Sequence, residues 1–212
     1  MNCGHILIEH KSVGQTRMST HAASPPVTPV AQSGSPTILV LASGRGERFT
    51  ASGGTVHKLH APLGATTVLE HTLAAVRASG LPWHLEQQGL PGMGDSIAAA
   101  VRATPGAYGW LVLPADLPLL RSDTLQKVAA ALQHQRVVVP VHCGRRGHPV
   151  GFSVACYAQL AQLHGKYGAE PVVSAGAAME LIVDDSGILI DIDTLDDLRH
   201  ARKLLSDCSP LL

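Results

Sequence analysis

Thr37-Ile-Leu-Val-Leu41 is an unbroken apolar, β-branched run that stops at a glycine-rich stretch. That pattern predicts a strand buried on both faces, as inside a parallel sheet, followed by a loop. Ala42 to Gly64 is rich in glycine and polar side chains and predicts no helix. Thr67-Val-Leu-Glu70 has capping-box spacing, so a helix should start there and run to Ser79, with Gly80 as its stop. Leu81 to Gln87 leaves room for one short strand. Gly92-Met-Gly-Asp-Ser96 opens a second helix, Ile97 to Ala103. Trp110-Leu-Val-Leu113 reads as another buried strand, ending at Pro114-Ala-Asp116. Ser122 should cap a third helix that reaches the neighbourhood of His134. Val137-Val-Val-Pro-Val141 and Gly151-Phe-Ser-Val154 read as strands, with a helix after them near Tyr157–Leu163. Leu181-Ile-Val183 and Ile188-Leu-Ile190 have the composition of short strands, and Asp193-Thr194 should cap a last helix, Leu195 to Leu205.

Strand and helix patterns thus alternate, with no internal repeat. Alternation predicts an α/β fold with a mostly parallel sheet. In such sheets ligands sit beyond the carboxyl ends of the strands, where strand order switches. Three unusual segments fall at such ends: Ala42–Arg48, Pro114–Pro118 and Asp191–Thr194.

Residues 1–36 read differently. Ile6-Leu-Ile8 is too short for a signal-peptide core and has no basic segment before it. Ser19 to Pro36 is Ser, Thr, Ala and Pro with four prolines, a composition that cannot bury a core. A disordered leader, 1–36, is expected ahead of one folded domain, 37–212, and Met18 is an alternative start.

Composition narrows the function classes. The chain has 212 residues, with 16 Lys+Arg against 16 Asp+Glu, so it lacks the basic excess of a dedicated nucleic-acid binder. At 45% hydrophobic and 15% charged it is not mainly disordered. Aromatics are 3%, so the core must be aliphatic. No apolar run approaches the roughly 20 residues of a membrane helix. Cys3, Cys143, Cys156 and Cys208 form no CxxC pair, which points to a reducing cytoplasm rather than a disulfide framework or zinc site.

Candidate chemistry begins with Leu41-Ala-Ser-Gly-Arg-Gly-Glu-Arg-Phe49. Glycines after a strand let backbone N–H groups turn inward on an anion, and Arg48 adds a planar guanidinium. A Walker loop is excluded, because Lys58 is followed by Leu59. A dinucleotide fingerprint is excluded too: Phe49 stands where a third small residue is needed, and the second strand ends without its acidic residue. A nicotinamide oxidoreductase therefore fails. Lys58, between His57 and His60, is placed to neutralise a transferring phosphoryl group or simply to be solvated. The two histidines make a poor metal pair, since Gly53, Gly54 and Pro62 argue against a helix there. Asp116 ends a buried strand between two prolines and suits a hard cation such as Mg²⁺. Asp191 and Asp193 alternate on an expected strand end. Their carboxylates should then point to opposite sides, so that at most one joins Asp116, and Asp193 has the alternative role of helix cap. His148, in Gly144-Arg-Arg-Gly-His-Pro-Val-Gly151, either contacts a substrate or stays within its turn.

Taken together, the Leu41–Phe49 loop with Lys58 resembles the nucleotide loop of the MobA-like nucleotidyltransferases. Gly92-Met-Gly-Asp-Ser-Ile97, Leu113-Pro-Ala-Asp116, Gly147-His-Pro-Val-Gly-Phe152 and Asp191-Ile-Asp-Thr-Leu-Asp-Asp-Leu198 resemble the later motifs of that family, in order. Within it the pattern is most similar to the molybdenum cofactor cytidylyltransferases.

The resemblance implies a Rossmann-like, three-layer α/β/α nucleotidyltransferase fold that joins an NTP to a phosphorylated acceptor and releases pyrophosphate. It implies that Leu41, Ala42, Ser43, Gly44 and Gly46 hold the nucleotide, with Gly94, Asp95 and Ser96 along base and ribose. Arg48 and Lys58 would grip the triphosphate. Asp116, with Asp191 or Asp193, would hold Mg²⁺, and His148 would face the acceptor, a pterin in the closest members. Ser43 stands where the resembling guanylyl enzymes carry Gly and the cytidylyl enzymes Ala, which favours CTP.

The sequence departs from the family between Leu81 and Pro91, which is too short for a complete strand–helix–strand unit, so one sheet element should be missing. Phe49 also replaces the usual Met, and the Thr50–Val56 loop is long. One competing reading is a nucleotidyltransferase for GTP or another phosphorylated acceptor; the other is a non-catalytic binder or maturation protein that hands cofactor to a molybdoenzyme, and Arg48, Lys58 and Asp116 occurring together argue against it.

Overall fold

The computed structural model describes residues 34–207. The expected leader lies outside the described residues except for Gly34–Pro36. Along the chain the elements are β1 (Thr37–Leu41), α1 (Glu47–Ala51), β2 (Pro62–Leu63), β3 (Thr66–Thr67), α2 (Val68–Ala78), β4 (Trp83–Glu86), α3 (Met93–Ala103), β5 (Gly109–Pro114), α4 (Ser122–Ala131), β6 (Val137–His142), β7 (Arg145–Arg146), β8 (Val150–Ser153), α5 (Tyr157–Leu160), α6 (Glu170–Ser174), β9 (Met179–Ile182) and α7 (Leu195–Asp207).

Seven strands form one sheet in the order β4-β1-β5-β8-β6-β7, with β9 pairing the other edge of β6. β1 runs parallel to β4 and β5, and β6 parallel to β9. β8 is antiparallel to both β5 and β6, and β7 is antiparallel to β6. Five strands therefore share one direction and two reverse it, as the alternation of elements predicts. Alternate residues of the central strands feed opposite layers. Ile38, Val40, Leu111 and Leu113 pack with Leu73 of α2, Val128 of α4 and Ala201 of α7. Leu39, Leu41 and Val112 pack on the other face with Ile97 and Val101 of α3 and Leu160 of α5. Each such fully buried aliphatic side chain contributes about 1.5–3 kcal/mol of transfer free energy. That two-sided burial is why these strands read as continuous apolar runs.

The structure corrects several expected boundaries. Arg121, not Ser122, is the N-cap of α4, and its side chain does no capping. Asp185, only 5% exposed, serves from a distance: it accepts from Arg121 N at 3.1 Å and Thr124 Oγ1 at 2.7 Å. Glu47–Ala51 is helical within the stretch expected to hold no helix, entered through Gly46 in the left-handed region at φ 66°. Ser186–Leu189 is a 3₁₀ turn rather than a strand, since Asp185 Oδ1 accepts from Gly187 N and curls the chain. The helix at Tyr157 ends at Leu160. β4 lies at the edge of the sheet beside β1 and passes directly into the α3 loop, consistent with the shortened connection.

Candidate active site

The carboxyl ends of β1 and β5 open into a cleft of about 740 Å³. The β1–α1 loop forms one wall, from Ser43 to Phe49, with Leu90–Met93 beside it. The β7 segment Arg145–His148 faces them, and Asp116, Asp191 and Asp193 also line the cleft.

Asp116 is located by its neighbours' backbone bonds. Ala115 N donates to Leu41 O at 3.0 Å, and Thr72 Oγ1 donates to Ala115 O at 3.0 Å. Ile192 N then donates to Asp116 O at 3.0 Å, while the Ile192 side chain is fully buried. This clamp holds Asp191 and Asp193 beside Asp116. The expectation that they point to opposite sides is therefore corrected: they lie on an irregular strap, not a strand, and both line the same cleft. Asp193 does not cap α7 with its side chain. Thr194 and Asp197 do so reciprocally, Asp197 Oδ2 accepting from Thr194 N at 2.7 Å and Thr194 Oγ1 accepting from Asp197 N at 3.2 Å.

Lys58 Nζ donates to Asp116 Oδ2 at 2.6 Å and to Asp193 Oδ1 at 2.8 Å. Burial works against the ammonium, but Asp116 and Asp193 outweigh it and hold the Lys58 pKa above its usual range. Arg48 Nη1 reaches the other Asp193 oxygen at 2.7 Å with its guanidinium largely in solvent. Burial, reinforced by the neighbouring Asp116 and Asp193 charges, raises the Asp191 pKa. Burial likewise lowers the His148 pKa, against the pull of Asp116 and Asp191, and its Nδ1 has no hydrogen-bond partner. Gly147 must be glycine here: a Cβ would sit 2.4 Å from the Ile188 carbonyl oxygen.

Most sequence-expected residues converge. Leu41, Ser43, Gly44, Gly46, Arg48, Lys58, Asp116, His148, Asp191 and Asp193 all line the cleft. Ala42 does not, and its N–H is spent on Glu86 O at 2.8 Å. Ser96 does not line the cleft itself but bonds to two residues that do: its hydroxyl lies 2.7 Å from that of Ser43 and donates to Gly92 O at 3.3 Å. Gly94 and Asp95 turn to the 164–165 loop instead: Gly94 N donates to Gly165 O at 2.8 Å, and Asp95 Oδ2 accepts from Gly165 N at 2.9 Å. Sequence reasoning missed the apolar wall of Leu90, Pro91 and Met93. It also missed that His57 holds the glycine loop, its Nε2 2.8 Å from Gly44 O.

Asp116 Oδ1 is buried without a partner, an acceptor of the kind a hard cation satisfies. Among the described residues no three His, Cys, Asp or Glu side chains converge into a closed metal site. The unpartnered Asp116 oxygen fits a divalent cation held by one or two carboxylates.

The fold and cleft define an α/β/α domain of the nucleotidyltransferase type. The chain belongs to the MobA-like NTP transferase family, whose domain matches residues 38–180. It is 33% identical over 128 residues to the purine catabolism protein PucB of Bacillus subtilis, covering 58% of this chain and 62% of that one. It is 29% identical over 112 residues to the molybdenum cofactor cytidylyltransferase of Escherichia coli, covering 53% and 57%. The matched region thus spans less than two thirds of each of these relatives. The crystal structure of Rv0371c from Mycobacterium tuberculosis superposes with a TM-score of 0.72 at 27% identity, covering 81% of this chain and 100% of that one. The same mycobacterial protein is known as a complex with manganese, at a TM-score of 0.65, 25% identity, and 80% and 98% coverage.

Proposed function

We propose that this protein is a Mg²⁺-dependent nucleotidyltransferase that moves CMP from CTP to a phosphorylated acceptor, molybdopterin or its molybdenum form, and releases pyrophosphate. The observation that carries this reading is the meeting of Lys58, Arg48, Asp116 and Asp193 in one cleft against a glycine loop. In the reaction an acceptor phosphate oxygen bonds to the α-phosphorus, and the bond from that phosphorus to the bridging oxygen breaks. The Gly44–Gly46 backbone and Arg48 orient the triphosphate. Lys58 neutralises charge as pyrophosphate leaves. Leu90, Pro91 and Met93 shield that side from water. His148 and Arg145 face the acceptor. Asp116 and one of the two strap carboxylates would hold Mg²⁺, which supplies charge stabilisation on the phosphates when bound. The manganese complex of the mycobacterial relative supports a divalent ion in this family.

CTP is favoured because Ser43 puts a Cβ beside the base position and its hydroxyl is already tied to Ser96. No covalent nucleophile is required, since phosphoryl transfer needs positioning and charge neutralisation. Among the described residues Cys143 and Cys156 carry free thiols, and no helix there is long and apolar enough to cross a membrane. The test is pyrophosphate release from each of four NTPs, with and without molybdopterin. Release with CTP that depends on molybdopterin supports the assignment. Nucleotide binding without any release, in every combination, would favour the non-catalytic cofactor carrier.

A further inference from the structure

Lys58 occupies the space between two carboxylates that the preceding reading assigns to a metal–nucleotide complex. Its Nζ lies within 2.8 Å of both Asp116 and Asp193, and its side chain is only 11% exposed. The second Asp193 oxygen is taken by Arg48. The carboxylate oxygen left over on the buried side, Asp116 Oδ1, has no partner. Within the hydrogen-bonded cluster itself the charges nearly balance: Asp116, Asp191 and Asp193 against Lys58 and Arg48 leave one net negative charge, while Arg45, Glu47, Arg145 and Arg146 line the outer cleft.

We propose that Lys58 is the built-in counter-cation of the Asp116–Asp193 pair, so that a divalent cation binds poorly by itself and binds well only together with a triphosphate. A lone divalent ion entering the cluster would face the buried ammonium at close range, where the repulsion of like charges is screened little. A triphosphate changes this balance. Its oxygens offer Lys58 replacement acceptors, the ammonium swings off Asp116 and Asp193, and both carboxylates are freed. Cation and nucleotide then bind with positive coupling, each raising the other's affinity by the same factor. Arg48 has a lesser part, because it touches only Asp193 and stays in solvent.

This inference rests on the cleft taking a metal–nucleotide complex, and one experiment separates the two ideas. Free Mn²⁺ is titrated into the full-length protein near neutral pH by electron paramagnetic resonance, with and without CTP and against a protein-free Mn²⁺–CTP titration, for wild type, Lys58→Met, Lys58→Gln and Arg48→Met. Lys58→Met should bind free Mn²⁺ about tenfold or more tightly than wild type, and Arg48→Met should change it by less than about threefold. CTP should tighten Mn²⁺ strongly in wild type and much less in Lys58→Met. Lys58→Gln keeps hydrogen-bonding capacity without charge and carries the test if the Met variant does not fold. Free-Mn²⁺ affinity that is unchanged or weaker in the Lys58 variants overturns the proposal, as does Arg48→Met matching them. If the Lys58 variants bind free Mn²⁺ more tightly but CTP changes the signal of every protein only as it does without protein, the counter-cation stands and the nucleotide reading falls.

Discussion

Ile192 N–H donates to the carbonyl of Asp116 at 3.0 Å, and this bond brings the strap carrying Asp191 and Asp193 against the end of β5. Without it the two aspartates would belong to an exposed connection. With it they join Asp116 and Lys58 in one electrostatic cluster.

Asp116→Asn keeps the shape of the side chain and removes its charge. Lys58 retains Asp193 as a partner, so the fold should survive with a nearly unchanged Tm. Turnover should fall by about 10²–10³-fold. Pyrophosphate release at saturating Mg²⁺ checks this, and wild-type turnover would remove Asp116 from the chemistry.

Arg48 and Lys58 should not tolerate exchange. Arg48 presents a planar fork to solvent and Asp193, whereas Lys58 is a buried point charge. Arg48→Lys should lower kcat/KM by about tenfold or more despite conserving charge. Lys58→Arg must fit a larger head between two carboxylates and should cost more. Steady-state kinetics on both variants decides; two near-wild-type enzymes would mean that neither side chain touches phosphate.

Much of this is legible in the sequence. β1 and β5 are, because two-sided burial imposes an apolar run that polar loops cannot imitate. Asp116 is, because a carboxylate between prolines after such a run has little structural use. The strap is not. Asp191-Ile-Asp193 has the alternation of a strand, and only the long-range bond from Ile192 to Asp116 shows that the alternation here serves to bury Ile192 alone. Asp185 is invisible for the same reason, since its partners Arg121 and Thr124 lie more than sixty positions away. Gly94 and Asp95 are legible as a motif but not in their role, because their partner is the backbone of Gly165.

Asp185→Ala removes the acceptor of Arg121 N and Thr124 Oγ1 and frees the turn at Gly187. Leaving those groups unpaired should cost about 2–3 kcal/mol. Thermal melting should show a drop of about 5–10 °C for a chain of this size. Because the strap begins at this turn, kcat should fall as well. A variant with an unchanged melting curve would contradict the capping role.

Ser43→Gly should relax nucleotide choice. Removing the Cβ opens room for a purine and breaks the bond to Ser96. The CTP/GTP ratio of kcat/KM should move toward GTP by about tenfold. An unmoved ratio, or a wild type that prefers GTP, would place base selection elsewhere.

His148 makes stability depend on pH. Burial holds its pKa below the unfolded value, so the unfolded chain binds the proton more readily. Stability from this group is complete above the unfolded pKa of about 6.5 and declines as pH falls below it, by at most about 1.4 kcal/mol per pH unit. Asp191, whose pKa is raised, acts with the opposite sign nearer the carboxylate range. Denaturant melts of wild type and His148→Asn between about pH 5.5 and 7.5 should therefore diverge, the variant giving the flatter curve. Parallel curves would mean that His148 titrates as if exposed.

Lys58 bonds to a carboxylate 58 positions away and to another 135 positions away. No local piece of the chain can assemble this cluster, and each closure must wait for the sheet that brings β1 and β5 side by side. Assembly of the site is thus a property of the finished topology, and on refolding it should report the last long-range closure rather than the appearance of helix or strand.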